Sequence, residues 1–256
     1  MDALACGLLK NLLWYEERET GLGHGLRLSV GPTAMSSTVW FLTSNAGKLE
    51  EATHHFQPLG MEVKPLEVPE GSIVEPQSDD LEEVARAKLQ QAMQHLPHEG
   101  AMVMVEDAGL FVDALDGFPG VYSSYVFSTV GNPGVLRLLS HLVDDDPVRI
   151  KNLRSASFQA VAALWDGHEV LIGRGICKGS IATEIQGEAG FGFDPVFVPA
   201  DLDDQGEPVS PDTLGVVSTH GQTFGTVGPF TKHQFSHRRR ALEDLLRQLP
   251  APEHEQ

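Results

Sequence analysis

The run Ala101-Met102-Val103-Met104-Val105 constrains the fold more than any other segment, because consecutive apolar residues leave no side of a strand for water. Such a strand must be covered on both faces, which implies a sheet lying between helices. Glu106-Asp107-Ala108-Gly109 follows at once. The pattern therefore sets two carboxylates where the buried strand is expected to end.

The flanking sequence supplies the other elements of such a sheet. Val39 to Leu42 reads as a buried strand, and Thr43 to Lys48 turns it into a helix with Leu49, Ala52 and Phe56 on one face. Met61 to Val68 is a second, weaker strand. Ser78-Asp79 is expected to cap a helix whose apolar stripe is Leu81, Val84, Ala85, Ala92 and Leu96, with Glu82 and Glu83 suited to its first turn. Asn132-Pro133 opens a third helix through Val135, Leu138, Leu139 and Leu142, and Pro147 is expected to close that segment. Asp166-Gly167 between Arg154–Trp165 and His168–Ile176 signals a hairpin. Asp201 to Gly228 has no period and reads as a long surface loop, after which Ser236 caps a last helix bearing Ala241, Leu242, Leu245, Leu246 and Leu249. The sum is a mixed α/β protein with a long central sheet and flanking helices.

At 256 residues one main domain is expected over residues 35–250, with an N-terminal extension over 1–34 and a tail over 251–256. A formal charge of −18 argues against a nucleic-acid polymer as partner, since such binding draws on clustered Lys and Arg. The surplus serves solubility or reflects a salty cytoplasm. Cys6 and Cys177 are the only cysteines and suggest neither a disulfide framework nor a Cys-based zinc site. The apolar stretch Ala3 to Leu9 is too short to span a bilayer and follows Asp2 rather than a basic segment. The expectation is a cytoplasmic protein with no membrane partner.

Four segments carry candidate chemistry. Thr43-Ser44-Asn45-Ala46-Gly47-Lys48 offers backbone N–H groups and a lysine to an anion, or is an ordinary helix cap with a solvated lysine. It is not a Walker loop, since Leu49 stands where a hydroxyl would be. Glu75, Glu106 and Asp107 offer hard oxygen ligands for magnesium, although Glu75 and Glu106 taken singly read as surface carboxylates. In Gly190-Phe191-Gly192-Phe193-Asp194-Pro195 the rings can stack on a flat base, or they are core phenylalanines beside a glycine bend. His237-Arg238-Arg239-Arg240 puts cations in a helix first turn, where the helix dipole disfavours them. A bound nucleotide would offset them; solvent screening is the alternative, above all for Arg239 and Arg240.

Together with Val112 to Ser123 and Lys232 to Arg238, these segments in this order resemble the inosine triphosphate pyrophosphatase family, over about Val39 to Leu249. The resemblance implies an elongated mixed sheet with two lobes, an active-site cleft between them, and a homodimer. It implies that Thr43 to Lys48 and Lys232 hold the polyphosphate, and that Glu75 and Asp107 bind Mg2+, with Mn2+ a possible substitute. Asp107 would also assist the attacking water, with Ala108 beside it in the substrate site. Phe191, Gly192, Phe193, Asp194, His237 and Arg238 would enclose the base. The sequence departs from the family at Ala108, usually Ser, and at Ser124-Tyr125, where an Arg is usual; the loop Asp201 to Gly228 is longer than its usual counterpart.

The implied activity is hydrolysis of ITP, dITP or XTP to the monophosphate and pyrophosphate. Two rival readings stand beside it: a related pyrophosphatase for modified pyrimidine or methylated nucleotides, and a nucleotide sensor without turnover. A structural scaffold would not account for four such segments at family spacing.

Overall fold

The computed structural model describes residues 38–249. The expected extension over 1–34 and the tail over 251–256 lie outside the described residues. The elements are β1 (Thr38–Phe41), α1 (Ala46–Phe56), β2 (Glu62–Pro65), α2 (Leu81–Ala92), β3 (Met102–Val112), β4 (Pro119–Gly120), α3 (Ser123–Thr129), α4 (Gly131–Leu138), α5 (Pro147–Leu153), β5 (Ser155–Trp165), β6 (Val170–Ile181), β7 (Phe197–Pro199), α6 (Pro229–Phe235) and α7 (His237–Leu246). The strands form one mixed sheet in the order β2-β1-β3-β5-β6-β7, with β4 added to β3. β1 runs parallel to β2 and β3, whereas β3, β5, β6 and β7 pair antiparallel. This is the mixed α/β sheet expected from the pattern.

Helices cover both faces, as the apolar run demanded. Met104, Ala160, Ala162 and Leu164 are packed by Ala52 and Phe56 of α1 and by Ala241, Leu242 and Leu245 of α7. Val103, Val105, Val161, Ala163 and Ile172 point the other way, under Leu81, Ala85, Leu89 and Ala92 of α2. A third part of the core gathers Leu110, Val112, Ile181 and Phe197 with Val126 of α3 and Val135 and Leu139 of α4.

Several expectations are corrected. β3 does not stop at Val105 but runs through Glu106 and Asp107 to Val112, because β5 continues to pair with it along that whole length. Pro147 opens a helix rather than closing a segment: it sits in the first turn of α5, whose cap Asp146 accepts the N–H groups of Val148 and Arg149. The cap of α2 is Asp80, accepting from Glu82 N, while Ser78 Oγ accepts from Asp80 N and donates to Glu83. Leu96 lies beyond the end of α2. α3 has no counterpart among the expected elements. The loop after Asp201 is only partly superficial: Leu202 bridges Pro208 and Val217, and Leu202, Thr219, Thr223 and Phe224 are buried. No helix among the described residues is long and apolar enough to cross a membrane.

A cleft at the open edge of the central strand

β1 pairs with β3 only through Val39–Phe41 against Met102–Met104, and β4 joins β3 only at Leu110 and Phe111. Between them the β1-side edge of β3 is free, and a cleft of about 1630 Å3 opens there, lined among others by Asn45, Lys48, Glu75, Asp107, Phe191 and Arg238. Successive side chains of a strand point to opposite faces. Glu106 therefore faces α1 and α7, whereas Asp107 faces α2. The two adjacent carboxylates serve different clusters.

Glu106 is buried and neutralised on its own side. Its Oε1 lies 3.4 Å from Lys48 Nζ and accepts from Arg238 Nε at 3.1 Å. Lys48 Nζ also donates to the Glu106 carbonyl at 3.0 Å. The expected surface carboxylate is thus a buried link between the first turn of α1 and the first turn of α7. Asn45 caps α1, its Oδ1 accepting from Gly47 N at 2.9 Å and Lys48 N at 3.2 Å, and Thr43 Oγ1 accepts from Asn45 N. The cap reading therefore holds for the backbone, but Lys48 is not solvated. Ser44, Ala46 and Gly47 are exposed, and Ser44 and Gly47 line the cleft.

On the opposite side Lys88 of α2 joins Asp107 to Glu75. Its Nζ donates to Glu75 Oε1 at 2.9 Å and to Asp107 Oδ1 at 3.2 Å. Asp107 Oδ2 lies 3.1 Å from the same nitrogen, yet it is buried without a hydrogen bond of its own. Burial pushes the Asp107 carboxyl above its ordinary range despite the opposing pull of Lys88 and Lys48. Burial also disfavours the Lys88 ammonium, but Asp107 and Glu75 outweigh it and hold the lysine above its usual range. Glu75 is placed by Gln91, whose side-chain amide brackets Val74 through both its N–H and its carbonyl. The sequence reading missed Lys88, although the signal was there: it stands in the apolar stripe of α2, one turn from Val84 and from Ala92.

Two hard carboxylates that converge on one cation suit a magnesium ion. Among the described residues no group of three or more His, Cys, Asp or Glu side chains could hold a metal. An ion here would rest on Glu75 and Asp107, with phosphate oxygens and water completing its shell, as magnesium commonly does. Oδ2 of Asp107, ion-paired to Lys88 but without a hydrogen bond of its own, is the atom that would ligate it. The residues present fit the group.

The Gly190–Pro195 segment divides between the two readings. Phe193 is buried against the third core, but Phe191 is 56 % exposed and lines the cleft. Gly190 has φ of 77°, and a side chain there would overlap the Asp194 carboxylate. That carboxylate accepts from Phe191 N at 2.7 Å and Lys232 Nζ at 2.5 Å. Lys232 Nζ also stands 4.2 Å over the Phe191 ring, and Arg238 Cζ 5.1 Å from it. The geometry thus groups Lys232 with Asp194 and Phe191 rather than with the turn before α1.

His237 and Arg238 reach the cleft because α7 lies almost on the backbone of β6. Side chains at Gly173 and Gly175 would overlap the carbonyls of Ala241 and His237. Ser236 caps α7 by accepting from Arg239 N at 3.2 Å. His237 stacks on Phe158 with ring centroids 5.1 Å apart. Burial, reinforced by Arg238, Lys232 and Lys48, holds its imidazole well below the ordinary range, so it is neutral near pH 7. The remaining first-turn cations have protein partners instead of solvent alone: Arg239 bonds Glu243 and the Gln234 carbonyl, and Arg240 the Gly206 carbonyl.

A lysine-bearing helix cap, a carboxylate pair and an exposed aromatic ring flanked by cations, all on one strand edge, define an α/β protein with a site suited to a polyphosphorylated nucleotide. Comparison with known proteins places it further. The chain belongs to the Ham1 family, whose model matches residues 39–248. It is 41 % identical over 209 residues to a dITP/XTP pyrophosphatase of Thermococcus kodakarensis, covering 82 % of this chain and 95 % of that protein. It is 37 % identical over 216 residues to a dITP/XTP pyrophosphatase of Ignicoccus hospitalis, covering 84 % and 98 %. Among solved structures it is similar to a HAM1 protein from Coxiella burnetii, with a TM-score of 0.62 at 28 % identity over 82 % of this chain and 96 % of that one.

Proposed function

We propose that the chain is an enzyme that hydrolyses non-standard purine nucleoside triphosphates (ITP, dITP and XTP) to the monophosphate and pyrophosphate. The observation that carries this is the convergence of Glu75, Lys88 and Asp107 at the same strand edge as Lys48 and the Phe191–Arg238 slot. It is supported by the names of the relatives, dITP/XTP pyrophosphatase.

In this reading the purine lies against Phe191, whose ring face is flanked by Lys232 and Arg238. Asp194, tied to Lys232, holds the Phe191 peptide in place. Neutral His237 and the Arg238 guanidinium meet the base's 6-oxo group as donors, which an adenine amino group would leave unpaired. Lys48 turns from Glu106 to the phosphates, joined by the exposed turn Ser44 to Gly47. Glu75 and Asp107 would hold Mg2+, or Mn2+ in its place, which would supply charge neutralisation to the phosphate oxygens. Asp107 accepts a proton from the attacking water; a new bond forms from water oxygen to the α-phosphorus, and the α–β bridging bond breaks with its electrons on pyrophosphate. Lys88 stays beside both carboxylates and limits their repulsion.

Hydrolysis of ITP in 18O-labelled water tests the mechanism. Label in the monophosphate is expected; label in pyrophosphate would place the attack on the β-phosphorus and contradict it.

We further infer that the protein works in the cytoplasm as a homodimer. Exposed Phe118, Tyr122 and Tyr125, close together in sequence, support a self-association surface. Sedimentation equilibrium of the full chain is expected to give twice the chain mass.

A further inference from the structure

The loop that presents Phe191 is held from outside itself by a corner that the reading above leaves without a role. Asp194 fixes the loop from within through the Phe191 N–H. The next two residues are held by the junction of α3 and α4. There Phe127 meets Phe193 edge-on, with ring centroids 5.5 Å apart at 81°. Asn132 Nδ2 donates to the Gly192 carbonyl at 3.1 Å. Gly192 has φ of 61°, and nothing lies within 4 Å of where its Cβ would stand. Packing therefore does not fix this peptide at its outer side; the Asn132 hydrogen bond does.

The other half of the Asn132 amide sharpens the point. Its Oδ1 is buried and has no hydrogen-bond partner. A buried acceptor left unpaired costs more than a single neutral hydrogen bond returns. The amide is thus a poor choice for stability at this corner, and it does not line the cleft. What it controls is where the Gly192 carbonyl sits, between the exposed ring of Phe191 and the buried ring of Phe193.

We propose that Asn132 is a positioning residue for base selection: by holding the Gly192 carbonyl it sets the slot between Phe191 and the first turn of α7 to the shape of a 6-oxo purine. The proposal rests on the reading that this loop encloses the base. A shift of the Gly192 peptide moves the Phe191 ring relative to His237 and Arg238, so the hydrogen-bonding edge of the base is mismatched while the phosphate side is untouched.

The test is Asn132→Leu in the full chain, since leucine matches the amide in size and carries neither polar atom. Steady-state pyrophosphate release is measured for ITP and ATP, with melting temperature and a Phe191→Ala control. The expected result is a roughly tenfold rise in KM for ITP, kcat within about twofold, and a fall of about tenfold in the ITP-to-ATP ratio of kcat/KM. The melting temperature should be unchanged or higher. An unchanged ratio would overturn the proposal, as would a lowered melting temperature with equal losses of kcat on both substrates, which would make Asn132 structural. If the wild type itself does not prefer ITP and Phe191→Ala leaves KM unaltered, the base-site reading fails first and the proposal with it.

Discussion

Lys88 Nζ stands between Glu75 and Asp107, so one ammonium keeps two carboxylates together at the strand edge. The carboxyl of Asp107 is pushed above its ordinary value of 3.8 chiefly by burial. A raised acid binds its proton more tightly folded than unfolded, so at neutral pH it subtracts from stability. Asp107→Asn is therefore expected to lower kcat by about 10^2- to 10^4-fold while leaving the melting temperature unchanged or raised. In the wild type, kcat/KM should fall as pH drops through a value above the ordinary carboxylate range. His237 works in the opposite sense. Its folded value lies well below 6.5, so under more acidic conditions the unfolded chain takes up a proton that the folded chain refuses. Its contribution is complete above that pH and declines below it. His237→Phe should flatten the loss of urea stability between about pH 7.5 and 5, with part remaining from His55, which burial also depresses. The identities of Asp107 and Lys48 were legible from type and neighbourhood. The partners of Glu106 were not, since Lys48 is 58 residues away and Arg238 132, and no local pattern records such pairings.

At the scale of elements, the end of β1 and the persistence of β3 create the site. The sequence placed the acids at a strand end because apolar character stops at Val105. The strand in fact continues, since polar side chains are tolerated where one neighbour has left and cations arrive from both faces. The rule that ligands gather beyond strand ends still applies, but to β1 rather than β3. α7 is set by the glycines of β6. Gly175→Ala would push against the His237 carbonyl. We expect a loss of about 1–3 kcal/mol and a raised KM for ITP, read by urea unfolding and steady-state kinetics. Unaltered stability and KM would show that the helix can shift without disturbing Arg238. The hairpin of β5 and β6 was legible from Asp166-Gly167; α5 was misread because a proline ends one segment and begins another with equal ease.

Across the whole molecule, the helical segment between β4 and β5 is tied to the sheet at Arg154. Its buried guanidinium has four carbonyl acceptors, Ile181, Leu139, Leu142 and Ala182, at 2.8, 2.7, 3.4 and 2.8 Å. It ties the end of α4 to the end of β6. Arg154→Met should cost on the order of 3 kcal/mol in urea unfolding, because several buried carbonyls lose a charged donor together. Within a chain of overall charge −18, four cations line the cleft, Lys48, Lys88, Lys232 and Arg238, each paired with a carboxylate there. In the proposed reaction this cleft selects a 6-oxo purine triphosphate and cuts it at the α-phosphorus. Pyrophosphate release from ITP, XTP, dITP, GTP and ATP, with and without Mg2+ and beside Asp107→Asn, tests it most directly. Metal-dependent release that favours ITP, dITP or XTP and is lost in the variant is the predicted result; equal turnover of ATP, or full activity in Asp107→Asn, would contradict it.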